Sequence, residues 1–304
     1  MKKGISLGVA AVFVATVGVS AGVFAAEAKG LKIVSDDTLT GFQFPESVGC
    51  DGRNKALYVS QFGSKLAPAE KDGKGYISKH SLDGKVEDNR FLPAHGETLH
   101  KPKGIWIRGD RLWVTDIDAL WVFDLKSRKG RKLELRGITF ANDPAIQGSS
   151  IYVSDNRADL LYRVEPADFL NLKGEPQVSI PAAGKGMFPN GLYPGRGNSL
   201  LIGGFQSPKD PRGLYQMSRD GELKTLADKL GRIDGVYQLK DGSLLVTDWN
   251  SGSLAHWTAK GGMQPLVKGF KGPADFCVIE SGKGLTAYVP DLVQSQLRIV
   301  KLAH

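Results

Sequence analysis

Six polar residues recur at near-regular spacing along this chain: Glu46, Lys103, Asp143, Asn190, Asp234 and Asp275. Each follows a turn and heads a short apolar segment, in FPESV, KPKGI, ANDPAI, FPNGL, RIDGV and PADFC. If they meet, four carboxylates, an amide and an ammonium can bind a cation and move protons. In a low-dielectric channel Glu46, Asp143, Asp234 and Asp275 repel one another and Lys103 offsets one charge. Protonation, water or a cation must offset the rest. Carboxylate oxygens with an amide carbonyl, from Asn190 or Asn142, are hard donors that suit calcium at roughly 2.3–2.6 Å in a six- to eight-fold shell. Neither His nor Cys occupies these positions, which argues against zinc. The same heads could instead cap strand starts and hold channel water.

Converging such a set needs converging elements. The steps between heads are 57, 40, 47, 44 and 41 residues, close to the roughly 40–45-residue period of a four-stranded propeller blade. A second strand follows each head: 56–60, 112–116, 151–155, 200–203, 244–248 and 287–291. Turns such as Arg108-Gly109-Asp110 precede these strands, and third and fourth strands come after them. The sixth unit runs out of chain before a fourth strand, and Leu31–Val34 is a spare segment able to supply it. The expected fold is therefore all-β: a six-bladed propeller closed by an N-terminal strand that completes the last blade. Asp116, Asp155, Asp248 and Asp291 end second strands and are expected to cap turns. Two long loops, 61–74 and 204–212, leave the face where the first strands start. They carry Lys65, Lys71, Lys74, Lys209 and Arg212, a basic rim suited to a small molecule bearing carboxylate or phosphate.

Composition sets the surroundings. Lys2-Lys3, an uncharged run from Gly4 to Ala26 and Val23-Phe24-Ala25 read as a signal peptide over residues 1–25. An uncleaved anchor is the alternative, and would be the sole membrane association. Residues 26–304 carry no linker or charge block and read as one domain, periplasmic or secreted. The net charge of +8 is scattered rather than gathered in a stripe, which with export argues against nucleic acid. Cys50 and Cys277 are the two cysteines. Their offsets from the heads differ, so two buried thiols are expected rather than a disulfide.

Phe44-Pro45-Glu46-Ser47, Asn142-Asp143, Pro189-Asn190-Gly191-Leu192 and Ile233-Asp234-Gly235 resemble the metal motifs of the senescence marker protein/gluconolactonase family, six-bladed propellers with a divalent ion, often calcium, on the axis. The resemblance spans essentially the whole chain after the leader. It implies Glu46, Asn190 and Asp234 as metal ligands, with Asn142-Asp143 adding a ligand or a substrate contact. It also implies Asp234 as general base in lactone hydrolysis. Related lactonases use histidines near the ion, which makes His100 a candidate. Lys103 lies outside the family pattern: it is a candidate to replace a second cation, to pair with Asp143 or Asp275, or to hold an anionic substrate. Two functions follow, a metal-dependent lactone or ester hydrolase and a non-catalytic propeller of the NHL-repeat kind that binds a ligand or protein.

Overall fold

The computed structural model describes Met1, residues 30–282 and 284–303, so the expected signal peptide lies outside the described residues but for Met1. Short apolar runs broken by Gly, Asp and Asn turns give twenty-four strands from Lys32 to Ala303. Blade 1 holds β2 (Pro45–Asp51), β3 (Ala56–Gln61), β4 (Tyr76–Ser81) and β5 (Val86–Leu92). Blade 2 holds β6 (Pro102–Arg108), β7 (Arg111–Asp116), β8 (Ala119–Asp124) and β9 (Gly130–Glu134). Blade 3 holds β10 (Ala141–Gln147), β11 (Ser150–Asp155), β12 (Leu160–Glu165) and β13 (Gln177–Ala183). Blade 4 holds β14 (Pro189–Gly195), β15 (Ser199–Gly204), β16 (Arg212–Met217) and β17 (Leu223–Gly231). Blade 5 holds β18 (Ile233–Gln238), β19 (Leu244–Asp248), β20 (Ser253–Thr258) and β21 (Gly262–Lys268). Blade 6 holds β22 (Cys277–Ser281), β23 (Gly284–Asp291) and β24 (Gln296–Ala303), and its outermost strand is β1 (Lys32–Leu39).

The closure expected from the spare N-terminal segment is present and longer than read, pairing Lys32 with Ala303 through to Leu39 with Leu297. It leaves no strand edge open at the seam. No described helix is long and apolar enough to cross a membrane.

Second strands are covered on both faces by neighbouring blades, which is why they read as continuous apolar runs. Val59, Val114, Val153, Ile202, Val246 and Val289 are all fully buried, each contributing about 1.5–3 kcal/mol. The core accordingly lies between blades. Val114 and Trp121 pack on Tyr58 and Phe91, Val153 and Tyr162 on Trp113 and Leu120, and Leu297 and Ile299 on Leu57 and Val59 across the seam.

The Asp residues ending second strands are caps, as expected. Asp248 accepts the Arg232, Asn250 and Ser251 N–H groups at 2.9, 3.0 and 2.9 Å. Asp155 accepts from Thr139, Phe140, Arg157 and Ala158. Asp116 accepts from His100 and Lys101, and Asp291 from Lys271, Gly272 and Gln294. Each carboxylate thus fixes the segment that delivers its blade's inner strand to the axis.

Cys50 and Cys277 correct the expectation of free thiols: they form a disulfide with Cα atoms 5.7 Å apart. Offset counting failed for two reasons. The two heads used for counting are not equivalent, since Ala274 rather than Asp275 aligns with Glu46, and the two strands belong to separate sheets with no shared register.

Candidate functional site

Inner strands reach the axis through a repeated irregularity. The ladder to the second strand breaks between Pro45 and Ser47, Pro102 and Ile105, Ala141 and Pro144, Pro189 and Leu192, and Ile233 and Val236. Bulges re-aim side chains and release backbone from pairing. Aligned on these breaks, Lys103, Asn142, Asn190 and Asp234 share one position, with Glu46 at the corresponding place in the first blade. In blade 6 the Pro273–Asp291 bridge aligns Ala274 with them. Hydrogen bonds repeat the alignment, because second-strand hydroxyls of Ser154 and Thr247 donate to the Asn190 and Ala274 carbonyls of the next blade at 2.6 and 3.0 Å.

Two expected heads are therefore corrected by one residue. Asp143 and Asp275 stand in the next position, shared with Ser47, Gly104, Gly191 and Gly235. Side chains alternate along a strand, so this set points away from the mouth. That position is crowded: a Cβ on Gly191 would lie 1.8 Å from the Asp234 carbonyl. Asp143 fits beside Gly104, and Asp275 beside Gly235, because neither neighbour has a side chain there.

Glu46, Lys103, Asn142, Asn190 and Asp234 line one cavity of about 480 Å³ at the mouth. Asp143 and Asp275 line a smaller cavity of about 190 Å³ further along the same strands, walled by Trp106, Tyr193, Tyr237 and Phe276. Asp143 accepts the Leu192 N–H at 2.6 Å, and Asp275 accepts the Ser47 hydroxyl at 2.6 Å. His100 is outside both: its Nδ1 accepts the Gly73 N–H at 3.0 Å on the loop entering blade 2.

Electrostatic strain concentrates on the axis. Burial, then the Asp234 charge, holds Glu46 well above the usual carboxylate range, with Lys103 opposing. Burial and Asp275 do the same to Asp234, and burial and Asp275 to Asp143. Burial lifts Asp275 to about 7, and burial lowers Lys103 to about 8 against the pull of Glu46. Lys103 makes one long hydrogen bond, 3.3 Å to the Lys101 carbonyl, and lies 4.2 Å from the Phe140 ring centre. It pairs with neither Asp143 nor Asp275. Nearby Lys101 is equally buried but ion-paired to Asp72 at 2.7 Å and bonded to the Phe62 carbonyl, which pins the long 61–74 loop.

Four buried oxygens on this cavity have no hydrogen-bond partner: Glu46 Oε2, Asn190 Oδ1 and Asp234 Oδ1 on the inner strands, and Asn156 Oδ1 in the wall. The Trp249 indole and Asn190 amide lie close enough to Asp234 to favour its charge, yet Trp249 Nε1 is itself unpartnered. Orphaned buried acceptors are costly, and two carboxylates with an amide oxygen form a hard donor set. These residues fit a divalent cation such as calcium. Among the described residues no group of three His, Cys, Asp or Glu has metal-site geometry; the inner-strand trio includes an amide.

The cavity wall escaped the reading of the heads. It comes from two further repeat positions: two residues before each head, giving Phe140, Phe188 and Arg232, and just past the second-strand end, giving Phe62, Asn156, Phe205, Trp249 and Leu292. Overlaying the units at those offsets would have found them. Besides Lys103, the basic residues facing the cavity are Arg157 and Arg232 rather than the loop lysines. Lys65 pairs with Glu70, Lys71 with Asp118, and Arg212 with Asp210.

Solved structures share this architecture. The gluconolactonase of Xanthomonas campestris is 15% identical, with a TM-score of 0.64 over 89% of this chain and 91% of its own. A putative gluconolactonase gives 14% and 0.65 over 90% and 94%. The virginiamycin B lyase of Staphylococcus aureus gives 13% and 0.61 over 90% and 100%. No family model and no curated protein matches this chain. The chain is thus a six-bladed β-propeller whose structural neighbours include gluconolactonase-type propellers, in keeping with the motif resemblance. At these identities the likeness is one of fold.

Proposed function

We propose that this protein is a metal-dependent hydrolase that opens a lactone or related ester. The observation that carries this reading is the trio of unpartnered buried oxygens on Glu46, Asn190 and Asp234, all lining one solvent-reached cavity. When bound there, a divalent ion, calcium by donor type, supplies Lewis-acid polarisation of the substrate carbonyl. Asp234 directs the attacking water and accepts its proton. Lys103 faces the same cavity with spare donor capacity for oxygen charge that develops during ring opening. The leader-like N-terminus and the Cys50–Cys277 disulfide support a periplasmic or secreted location.

A second reading, a ligand-binding propeller without catalysis, is favoured by Lys103, a buried ammonium that already offsets part of the Glu46 charge. A panel of lactones and esters, assayed with and without divalent ions, separates the two. Turnover that needs the ion supports the hydrolase; no turnover and no melting shift at millimolar calcium rejects it.

A further inference from the structure

The mouth cavity has a polarity that the metal trio does not explain. Its floor is charged, but its wall is aromatic: Phe62, Phe140, Phe188, Phe205 and Trp249 surround the space. At the rim stand Arg157, exposed, and Arg232, half-buried. Neither forms an ion pair among the described residues. Arg157 rests 3.8 Å over the Phe140 ring, while Arg232 lies near Phe205 and Trp249 and bonds the Asn250 amide oxygen at 2.8 Å. Among the described residues Arg157 keeps its guanidinium N–H groups free of protein partners, whereas Arg232 gives Nε to Asn250 and Nη2 to the Trp249 carbonyl at 3.5 Å, leaving Nη1 to join Arg157 in receiving a carboxylate.

We propose that this cavity selects a ligand with a flat apolar or aromatic body and one carboxylate, bound with the carboxylate at the Arg157–Arg232 rim. This inference rests on the hydrolase reading only for the scissile group; the binding mode is independent of it. The aromatic rings lie between the axial residues and the rim guanidiniums, so the charged end faces outward to Arg157 and Arg232 while the apolar body fills the ring-lined space. A polyhydroxylated acid is disfavoured. Polar wall groups are few, namely Asn142, Asn156 and Gln206, and Gln206 is already engaged by Arg212 at 2.7 Å. Hydroxyls buried against phenyl faces would lose their water without replacement.

The test is calorimetric binding of three compounds without an ester or lactone bond: 3-phenylpropionate, its neutral analogue 3-phenylpropionamide, and gluconate. The expected order is 3-phenylpropionate at least about tenfold tighter than the amide, with gluconate undetectable at millimolar concentration. In R157Q/R232Q, checked for an unchanged melting curve, the acid loses its advantage over the amide. Gluconate binding as well as 3-phenylpropionate, or an acid no tighter than its amide in the unaltered protein, overturns the inference. Binding in the expected order without turnover of any lactone supports this inference and removes the hydrolase reading. Turnover of sugar lactones without binding of 3-phenylpropionate does the reverse.

Discussion

Two sets of carboxylates are buried in this propeller, and they differ in everything except burial. Asp155, Asp248 and Asp291, at second-strand ends, are at most 1% exposed, and Glu46 and Asp234 on the axis are 5% and 4% exposed. The first set is saturated: Asp248 holds three backbone N–H groups and the Ser251 hydroxyl. The second set leaves Glu46 Oε2 and Asp234 Oδ1 with nothing. Unsatisfied acceptors are rare and need an explanation, whereas a saturated acid is explained by the turn it holds. Burial alone therefore fails to mark function in this fold; unmet hydrogen bonding marks it.

The contrast can be broken most sharply at Asp248. Asp248→Ala strands three N–H groups, and at about 1–3 kcal/mol each, partly relieved by water, the loss should be about 4 kcal/mol. Urea unfolding reads this directly; a variant as stable as the parent would erase the distinction. Next comes Asp234→Asn, expected to cut hydrolysis about a hundredfold, close to 3 kcal/mol, while the chelated protein melts no lower than the parent. A variant that keeps turnover, or one that unfolds like Asp248→Ala, would move Asp234 into the structural set. Smaller still is the effect of calcium on the parent. Free calcium at a hundredfold its Kd should add about 2.7 kcal/mol, and Asp234→Asn should lose most of that gain while a conservative change at a cap keeps it.

The last test is in pH. Asp275 titrates at about 7 in the fold, against roughly 3.9 unfolded. Between those values the folded state keeps a proton that the unfolded state has released, so stability falls as pH rises from about 4 to about 7. Glu46, Asp143 and Asp234 are displaced in the same direction by burial. Asp110, held low by its hydrogen bond to Lys126, acts oppositely but in full solvent, where screening weakens it. With chelator present, melting temperature should be higher at pH 5 than at pH 8, and Asp275→Asn should flatten that slope. A flat profile would show that the axial acids ionise freely.

Period and closure were legible because they rest on composition that repeats: Val-rich second strands must be apolar on both faces, and the last blade needs Leu31–Val34. The ring of heads was legible to within one residue. A bulge spans two residues in blades 2 to 5, and the register shifts alike in blade 6 between Pro273 and Cys277, so Asn142-Asp143 and Ala274-Asp275 each offer two adjacent positions with opposite facing, of which the charged one is the more conspicuous in sequence. Which of the two faces the mouth is decided by pairing partners on the second strand, which no local pattern records. Arg157 and Arg232 were hidden for another reason. They matter through the rings they lie on, and Phe140 and Trp249 come beside Arg157 and Arg232 only when the first and second strands of a blade pair.

The seam between β1 and β24 joins the earliest and latest described segments of the chain, Lys32 beside Ala303. During synthesis β1 must therefore wait, its backbone unpaired, until β24 has been made. A rearranged chain, with residue 303 tied by a short linker to residue 31 and a new start opened between blades 1 and 2, would finish each sheet from contiguous sequence as it emerged. It would give up the one joint at which the circle is latched by strands from opposite ends.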